Sequence, residues 1–255
     1  MFTSMKGAPF IILIALVILA LSPAESYRSF DLGTRTCKLV TIGSTDSVAV
    51  FLSLHDDENT SVDAFKEVHE EIYHAAMVEL KQSGSRLLKY GHGENDYFVD
   101  PNRIFSIIGL NNSLKKHNKS YPAEISVSLA RFTKNILEHI LPEDQKTYLV
   151  ALHNNTNDQY SIKSYLGNPD AEKVNINPSE DPDDFFLVTE ISDFEYFKSL
   201  KRNVVLQSHD AFDDGSLSIY CERFERPYIN IEAQDGHKSI QRSMIKEVYS
   251  HIKTK

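Results

Sequence analysis

Two residue types that bind zinc stand three positions apart, directly after an apolar run. Residues 51–54 are Phe-Leu-Ser-Leu, followed by His55 and then by Glu58. A buried strand ending there would bring both side chains to the edge of a sheet, where open α/β sheets place their sites. Imidazole and carboxylate both bind Zn²⁺, and a catalytic zinc usually takes three protein ligands and a water molecule. A simple hydrogen bond between His55 and Glu58 has the same spacing, so the metal interpretation needs a third ligand elsewhere.

His153 is the candidate for that third ligand. Residues 146–152 form a second largely apolar run (Lys-Thr-Tyr-Leu-Val-Ala-Leu), which ends at His153 and continues into two asparagines. Helical patterns lie between the two runs, and strands that alternate with helices form parallel sheets. Because the carboxyl ends of parallel strands share one edge, we expect His153 to approach His55.

A turn stiffened by proline follows a short apolar strand predicted at residues 97–99. Its sequence is Asp100-Pro101-Asn102-Arg103. Proline fixes its own φ and favours an extended conformation for the residue before it, so the turn can aim Asn102 and Arg103. An ion pair between Arg103 and Asp100 is the structural alternative to a functional role for this arginine.

Apolar periodicity predicts a single α/β domain, with a mostly parallel mixed sheet flanked by helices. Predicted strands are 36–42, 48–54, 86–90, 97–99, 146–152, 185–191, 203–207, 217–224 and 227–234, with a further short strand indicated at 161–165. Predicted helices are 61–80, 121–141, 194–200 and 237–252, whereas residues 109–120 and most of 154–184 are predicted to be loops. Glu232 falls near the end of the last strand; an isolated glutamate is more often exposed.

The composition argues against a nucleic-acid-binding function for this chain. It has 255 residues, of which 41% are hydrophobic and 25% charged, as is typical of a globular protein. The net charge is −9 and the sequence has no basic stripe that could neutralise phosphates. A nucleic-acid partner is therefore not expected.

The N-terminus has the pattern of a secretory signal peptide. Lys6 is followed by an apolar run over residues 8–21 and then by small residues around Ala24. The run is shorter than the roughly 20 residues that a membrane-spanning helix needs, so a cleaved signal is favoured over an anchor. We expect residues 1–26 to be removed and residues 27–255 to form the mature domain. The predicted location is secreted, extracellular or periplasmic, without a stable membrane span.

Secretion would bring two kinds of modification into consideration. Cys37 and Cys221 would either form one disulfide in an oxidising compartment or remain two separate buried thiols. N-glycosylation sequons begin at four asparagines, namely Asn59, Asn111, Asn118 and Asn154. In a eukaryotic secretory route, glycans are expected at Asn111 and Asn118, which fall in a predicted polar loop. The other two sequons stand beside the candidate ligands, where a glycan would obstruct the site.

The order of the motifs along the chain resembles a known family. The set is His55-x-x-Glu58, Asp100-Pro101-Asn102-Arg103, His153 and Glu232. It resembles the zinc carboxypeptidase superfamily, and its short spacings are most similar to the aspartoacylase and succinylglutamate desuccinylase branch, which has an Asp-x-Asn-Arg motif. The resemblance implies that His55, Glu58 and His153 bind Zn²⁺ and that Glu232 is the general base. It also implies that Arg103 holds the oxyanion or a substrate carboxylate, and that Asn102 adds a hydrogen bond in the same subsite.

One element of the family pattern is missing. The family has a further arginine shortly before its Asn-Arg pair, but residues 91–99 contain none, and the nearest basic residues are Lys89 and His92. The family's mobile tyrosine has three candidates here, which are Tyr160, Tyr165 and Tyr220.

The resemblance predicts a secreted zinc hydrolase that cleaves an amide bond. It would be carboxypeptidase-like or an amidase acting on N-acyl amino acids or muropeptides. The missing arginine supports an alternative, a secreted binding protein that keeps the fold with little or no activity. A membrane-anchored interaction protein is a third hypothesis and depends on the N-terminal apolar run alone. The motifs do not identify the substrate.

Overall fold

Residues 25–141 and 146–255 are described by a computed structural model. The strands are β1 (Glu25–Leu32), β2 (Arg35–Ile42), β3 (Ala49–Ser53), β4 (Ala75–Lys81), β5 (Leu88–His92), β6 (Asn95–Val99), β7 (Tyr148–Asn155), β8 (Ala171–Asn175), β9 (Phe185–Val188), β10 (Val204–Gln207) and β11 (Tyr228–Gln234). The helices are α1 (Asn59–Val68), α2 (Ile107–His117), α3 (Ala123–Ile140), α4 (Ile191–Ser199), α5 (Leu217–Arg223) and α6 (Lys238–Ile252).

A nine-stranded mixed sheet with the order β1-β2-β4-β3-β7-β11-β9-β10-β8 organises this part of the chain, and β5 and β6 form a separate hairpin. The central strands β4, β3, β7 and β11 are all parallel. Parallel strands are covered on both faces and therefore need nearly continuous apolar sequence. All five residues of β3 are buried, in agreement with that rule. The predicted α/β fold with a parallel sheet core is confirmed.

Two hydrophobic cores lie on the two faces of the sheet. Helices α1, α4 and α6 contribute side chains to one core, and α2, α3 and α5 contribute to the other. In α3 the buried apolar positions are Ile125, Leu129, Phe132, Ile136 and Ile140, the periodicity from which the helix was predicted. The helices thus hold the sheet between them and leave its carboxyl edge to the connecting loops.

The predicted helix over residues 61–80 is wrong in its second half. Helix α1 ends at Val68, and the chain then forms β4, which pairs with β2 and β3. Apolar residues fill β4 almost continuously, so a helical spacing can also be drawn through them. Tertiary burial between two neighbouring strands decides the conformation of this segment.

Two further segments differ from the prediction. Of residues 109–120, which were predicted as a loop, residues 109–117 belong to α2, whose first turn is capped by the Ser106 side chain accepting from the Gly109 N–H. Residues 217–223 of the strand predicted at 217–224 form α5, in which Leu217 and Cys221 are both buried and stand four positions apart, a helical spacing. Strands β1 and β8 were not predicted, and the short strand indicated at 161–165 is a 3₁₀ helix (Ile162–Tyr165).

The cysteines form no disulfide with each other in the described structure. Cys37 and Cys221 are separate buried thiols, contrary to the disulfide alternative. Burial raises the pKa of the Cys37 thiol to about 12 and raises that of Cys221 as well. Both are therefore protonated at neutral pH and unreactive.

The Asn118 sequon lies at the end of a helix and not in a loop. Its side-chain nitrogen donates to the carbonyls of Phe98 and Leu114, both at 2.8 Å. N-glycosylation replaces one of the two hydrogens on this nitrogen, so a single N–H would remain for the two carbonyl acceptors. We therefore expect glycosylation of Asn118 to require a local change at the end of α2.

The signal-peptide prediction for residues 1–26 falls almost entirely outside the described residues. Of the predicted segment, Glu25 and Ser26 are described, and they pair with Ile42 and Thr41 in the β1–β2 ladder. Within the described part of the chain, no helix has the length and apolar character needed to cross a bilayer.

Candidate active site

Three buried side chains meet at the carboxyl edge of the parallel sheet. Glu58 Oε1 lies 2.9 Å from His55 Nδ1 and 3.1 Å from His153 Nδ1, and Glu58 Oε2 is also 3.1 Å from His153 Nδ1. The candidate ligand atoms of the three residues all lie within 4.8 Å of one another. The two imidazole rings are 5.2 Å apart between centroids.

The register of the parallel strands produces this meeting. Strand β3 pairs directly with β7, so the chain leaves both strands at the same edge, where His55 and His153 stand. Strand β7 in turn pairs with β11, and in that ladder His153 lies opposite Glu232. Residues about a hundred positions apart are therefore neighbours because the sheet is parallel.

Asp100 contacts the ring nitrogen of His55 that faces away from Glu58. Its Oδ1 lies 2.9 Å from His55 Nε2 and also accepts the Asn102 N–H at 2.9 Å. Burial acts to raise the pKa of Asp100, but the hydrogen bond and charge of His55 and the charge of Arg103 lower it overall. The ionised carboxylate fixes the ring and directs Nδ1 towards Glu58.

The charges of the cluster depend on one another. Burial acts to lower the pKa of His55, but the Glu58 and Asp100 carboxylates raise it to about 9. Burial acts to raise the pKa of Glu58, but the two histidines lower it to about 2. Glu58 is therefore ionised at neutral pH, and a cation that binds here must displace a proton from His55.

The His–Glu–His cluster is positioned to bind a metal ion. Two imidazole nitrogens and a carboxylate are a donor set that zinc accepts, and all three residues are less than 5% exposed. Histidine ligands usually bond through their second nitrogen to a neighbouring group. Asp100 provides this contact for His55, and the Asn102 side-chain nitrogen lies 3.5 Å from His153 Nε2.

Glu232 is buried beside the cluster, with 6% of its surface exposed. Its Oε1 accepts a hydrogen bond from the Asn230 side chain at 3.0 Å. Burial raises the pKa of Glu232, and the charge of His153 and the Asn230 hydrogen bond reverse only part of that rise. The carboxylate thus lines the same cavity as Glu58 and His153, with a higher proton affinity than an ordinary glutamate.

Arg103 lines this cavity on the other side. Its guanidinium donates to the Asn102 carbonyl at 2.7 Å and lies 3.5 Å from an Asp214 carboxylate oxygen. Asp100, its alternative partner from the sequence, is engaged with His55 instead. Asn102 is itself held by the Leu217 N–H, which donates to its side-chain oxygen at 3.1 Å.

Arg86 is a cavity residue that the sequence did not single out. It lies between β4 and β5, and its guanidinium is 3.4 Å from Glu58 Oε1. The Asp56 carboxylate accepts the backbone N–H groups of Gln82 and Gly84 at 2.7 and 2.6 Å, which ties this segment to the loop of the cluster. The placement of Arg86 depends on β4, which was predicted as part of a helix.

The cavity itself has a volume of about 450 Å³. Of the three candidate tyrosines, Tyr160 and Tyr165 line it, and their hydroxyls hydrogen-bond to each other at 2.5 Å. Tyr220 packs instead against Phe105 and Phe224. The cavity therefore combines a candidate metal site, a buried carboxylate, two arginines and a tyrosine pair.

No protein-family model matches the sequence, and no curated protein matches it either. Solved structures do match. The product-bound ectoine utilization protein EutE (DoeB) from Ruegeria pomeroyi has a TM-score of 0.50 and 12% identity over 93% of this chain and 69% of that chain. A succinylglutamate desuccinylase from Vibrio parahaemolyticus has a TM-score of 0.45 and 12% identity over 89% and 76%. Murein-tripeptide amidase MpaA from Escherichia coli O157 has a TM-score of 0.43 and 13% identity over 88% of this chain and 89% of that chain.

The likeness to EutE shows that this chain shares its fold. The mostly parallel α/β fold that the resemblance implied is thus confirmed.

Proposed function

We propose that the protein is a zinc-dependent hydrolase that cleaves the amide bond of a substrate bearing a free carboxylate, such as a peptide or an N-acyl amino acid. The observation that carries the proposal is the pairing of Glu232 with His153 in adjacent parallel strands. It places a buried carboxylate beside the candidate metal site, in one cavity. A general base must stand next to the group that it deprotonates.

His55, Glu58 and His153 would hold the zinc. When bound, zinc supplies a Lewis acid that makes water acidic at neutral pH and polarises a carbonyl. Asp100 orients His55, and Asn102 contacts His153. The sequence prediction for these ligands is retained in the proposal because the geometry supports it.

Glu232 takes the proton of the attacking water and delivers it to the leaving nitrogen. Its raised pKa suits both halves of this task, because a stronger base accepts the proton more readily and its conjugate acid is still able to donate. The Asn230 hydrogen bond fixes the carboxylate in position.

The two arginines have separate tasks. Arg103, whose guanidinium is anchored to the Asn102 carbonyl, presents its remaining donors to the substrate carboxylate. Arg86, next to Glu58, donates to the carbonyl oxygen as it gains negative charge. Arg86 would take the place of the arginine that is missing before the Asn102-Arg103 pair. Lys89 and His92, the nearest basic residues in the sequence, are not among the residues that line the cavity in the described structure.

The alternative of an inactive binding protein depended on the missing arginine, and Arg86 in the cavity removes that reason. The test is hydrolysis of a panel of N-acetyl amino acids and C-terminal dipeptides by the zinc-loaded protein and by its Glu232→Gln variant. We expect turnover by the wild type and a loss of about 10²–10⁴-fold in the variant. Tight zinc binding without turnover of any substrate would favour the binding protein.

We also propose that the protein is secreted after removal of a signal peptide that ends near Ala24 or Ser26. Cleavage after Ser26 would remove Glu25 and Ser26 from the β1–β2 ladder and leave the pairs from Tyr27 with Val40 to Leu32 with Arg35. N-terminal sequencing of the mature protein from a secreting host tests this. A mature chain that still begins at Met1 would contradict it.

A further inference from the structure

A second, smaller cavity opens beyond Arg103. It has a volume of about 210 Å³ and shares seven lining residues with the main cavity, namely Arg103, Tyr160, Tyr165, Leu187, Asp214, Ser216 and Ser218. The two cavities are therefore neighbouring compartments of one space, and Arg103 lies in the lining of both. When a substrate carboxylate binds to Arg103, a side chain on the neighbouring carbon atom would enter the smaller compartment, the side cavity.

Gln207, the last residue of β10, lines the side cavity. It is only 5% exposed, and its amide nitrogen has no hydrogen-bond partner among the described residues. A buried amide donor without a partner costs roughly 1–3 kcal/mol, so such groups are rare in folded proteins unless a ligand or water satisfies them. Rotation about the last side-chain bond exchanges the amide nitrogen and oxygen, so this amide can offer a donor or an acceptor.

The other walls of the side cavity restrict the charge of its occupant. Asp170 and Asp214 disfavour an anionic group, while the Arg103 guanidinium between the two compartments disfavours a cationic one. Both carboxylates already accept backbone N–H groups, Asp170 from Phe212 and Asp214 from Ser216. An uncharged polar group meets neither repulsion.

The remaining polar groups complete the hydrogen-bonding set. The Ser216 and Ser218 hydroxyls lie 3.0 Å apart and can each donate or accept. Leu187, Ala211 and Ile219 supply apolar wall for the carbon atoms of a short side chain. The cavity thus combines an apolar wall with an amide and two hydroxyls.

We infer that the side cavity selects substrates whose carboxylate-bearing residue has a carboxamide side chain, glutamine or asparagine, paired with the Gln207 amide. The inference depends on the proposed function, since it assigns the substrate class of the same site. Two amides can form two complementary hydrogen bonds, each with its own donor and acceptor. Gln207 is a specificity-determining residue and takes no part in the bond cleavage.

Binding of the product amino acids to the zinc-loaded protein tests this without requiring turnover. Calorimetric titration with L-glutamine, L-glutamate, L-lysine and L-methionine compares side chains of similar length. We expect glutamine to bind about tenfold more tightly than methionine, as one or two net hydrogen bonds allow. In Gln207→Met that preference should disappear, with methionine binding unchanged or improved.

Gln159→Met is the matched control, because Gln159 is exposed and lines the main cavity but not the side cavity. It should keep the preference for glutamine. Equal binding of glutamine and methionine by the wild type, or an unchanged preference in Gln207→Met, would overturn the inference. Failure of the hydrolase proposal is a separate result, namely selective glutamine binding with no cleavage of N-acyl glutamine.

Discussion

The buried His55 pairs with the part-buried carboxylate of Asp100, which lies 2.9 Å from Nε2, on the side of the ring opposite Glu58. The imidazole therefore has one nitrogen committed to a carboxylate and the other, Nδ1, directed at the cluster. The sequence offered Asp100 only as the start of a proline turn or as a partner of Arg103. In the fold, the turn serves both to fix a ligand histidine and to present an arginine.

We expect Asp100→Ala to weaken zinc binding about 10–100-fold, because partners on the outer nitrogen of a histidine ligand contribute that much to metal affinity. Competition with a chromogenic chelator measures the dissociation constant. Asp57→Ala is the control, since Asp57 is an exposed residue of the same loop. Equal affinity in Asp100→Ala and the wild type would show that Asp100 does not support the metal site.

The pH dependence of hydrolysis should report the raised pKa of Glu232. The base must be ionised, so kcat/KM falls as the pH falls through its pKa, and the acidic midpoint should lie above the ordinary glutamate value of about 4.3. Asn230→Ala removes a hydrogen bond that favours the ionised form. The midpoint should then move to higher pH.

Asn112→Ala, at an exposed position of α2, is the control for the Asn230 change and should leave the profile in place. A midpoint that moves to lower pH in Asn230→Ala would contradict the assignment of the acidic limb to Glu232.

Substitutions of Arg86 and Arg103 should change different steady-state kinetic parameters. Arg86→Ala should lower kcat about 10²–10³-fold with little change in KM, because its contact forms as charge develops on the carbonyl oxygen. Arg103→Ala should raise KM most, because it removes a ground-state contact to the substrate carboxylate. Arg131→Ala, on the exposed face of α3, is the control. The same KM increase in both variants would contradict the division of tasks.

A close contact between two glycines holds the Arg103 subsite together. Gly215 has φ +79°, and a Cβ added to it would lie 2.5 Å from the Arg103 carbonyl oxygen and 2.6 Å from Gly109 Cα. Gly215→Ala should lower the free energy of unfolding by about 3 kcal/mol or more, combining left-handed strain with overpacking. Denaturant unfolding measures the change.

Gly167→Ala separates these two costs. Gly167 has φ +72°, but a Cβ there would meet no described atom within 4 Å. Its cost should be the strain alone, about 1 kcal/mol. Equal losses of unfolding free energy in Gly167→Ala and Gly215→Ala would show that crowding against the Arg103 segment adds no cost to the strain.

The candidate ligands were predictable because their signals are local. His55 and His153 each follow an apolar run, and a parallel sheet brings the ends of such runs to one edge. Arg86 was not predictable in this way. Its approach to Glu58 depends on β4, whose apolar residues fit a helix as well as a strand, and on a contact between Asp56 and the following turn.

The side cavity was beyond sequence reasoning for a related reason. Gln207 ends a strand that was predicted, but β10 pairs with β9 and β8, and β8 had no strand signal. Ser218 and Ile219 belong to α5, which was predicted as a strand. Tertiary packing, and no property of the local sequence, places these residues around one space.

Zinc content is the measurement that tests the central claim most directly. After dialysis against metal-free buffer, mass spectrometry should find about one zinc per chain in the wild type, as a site with three protein ligands predicts. His153→Ala should lose it, whereas His92→Ala, at a half-exposed histidine outside the cluster, should keep it. A wild type without affinity for zinc, or full zinc content in His153→Ala, would contradict the metal site.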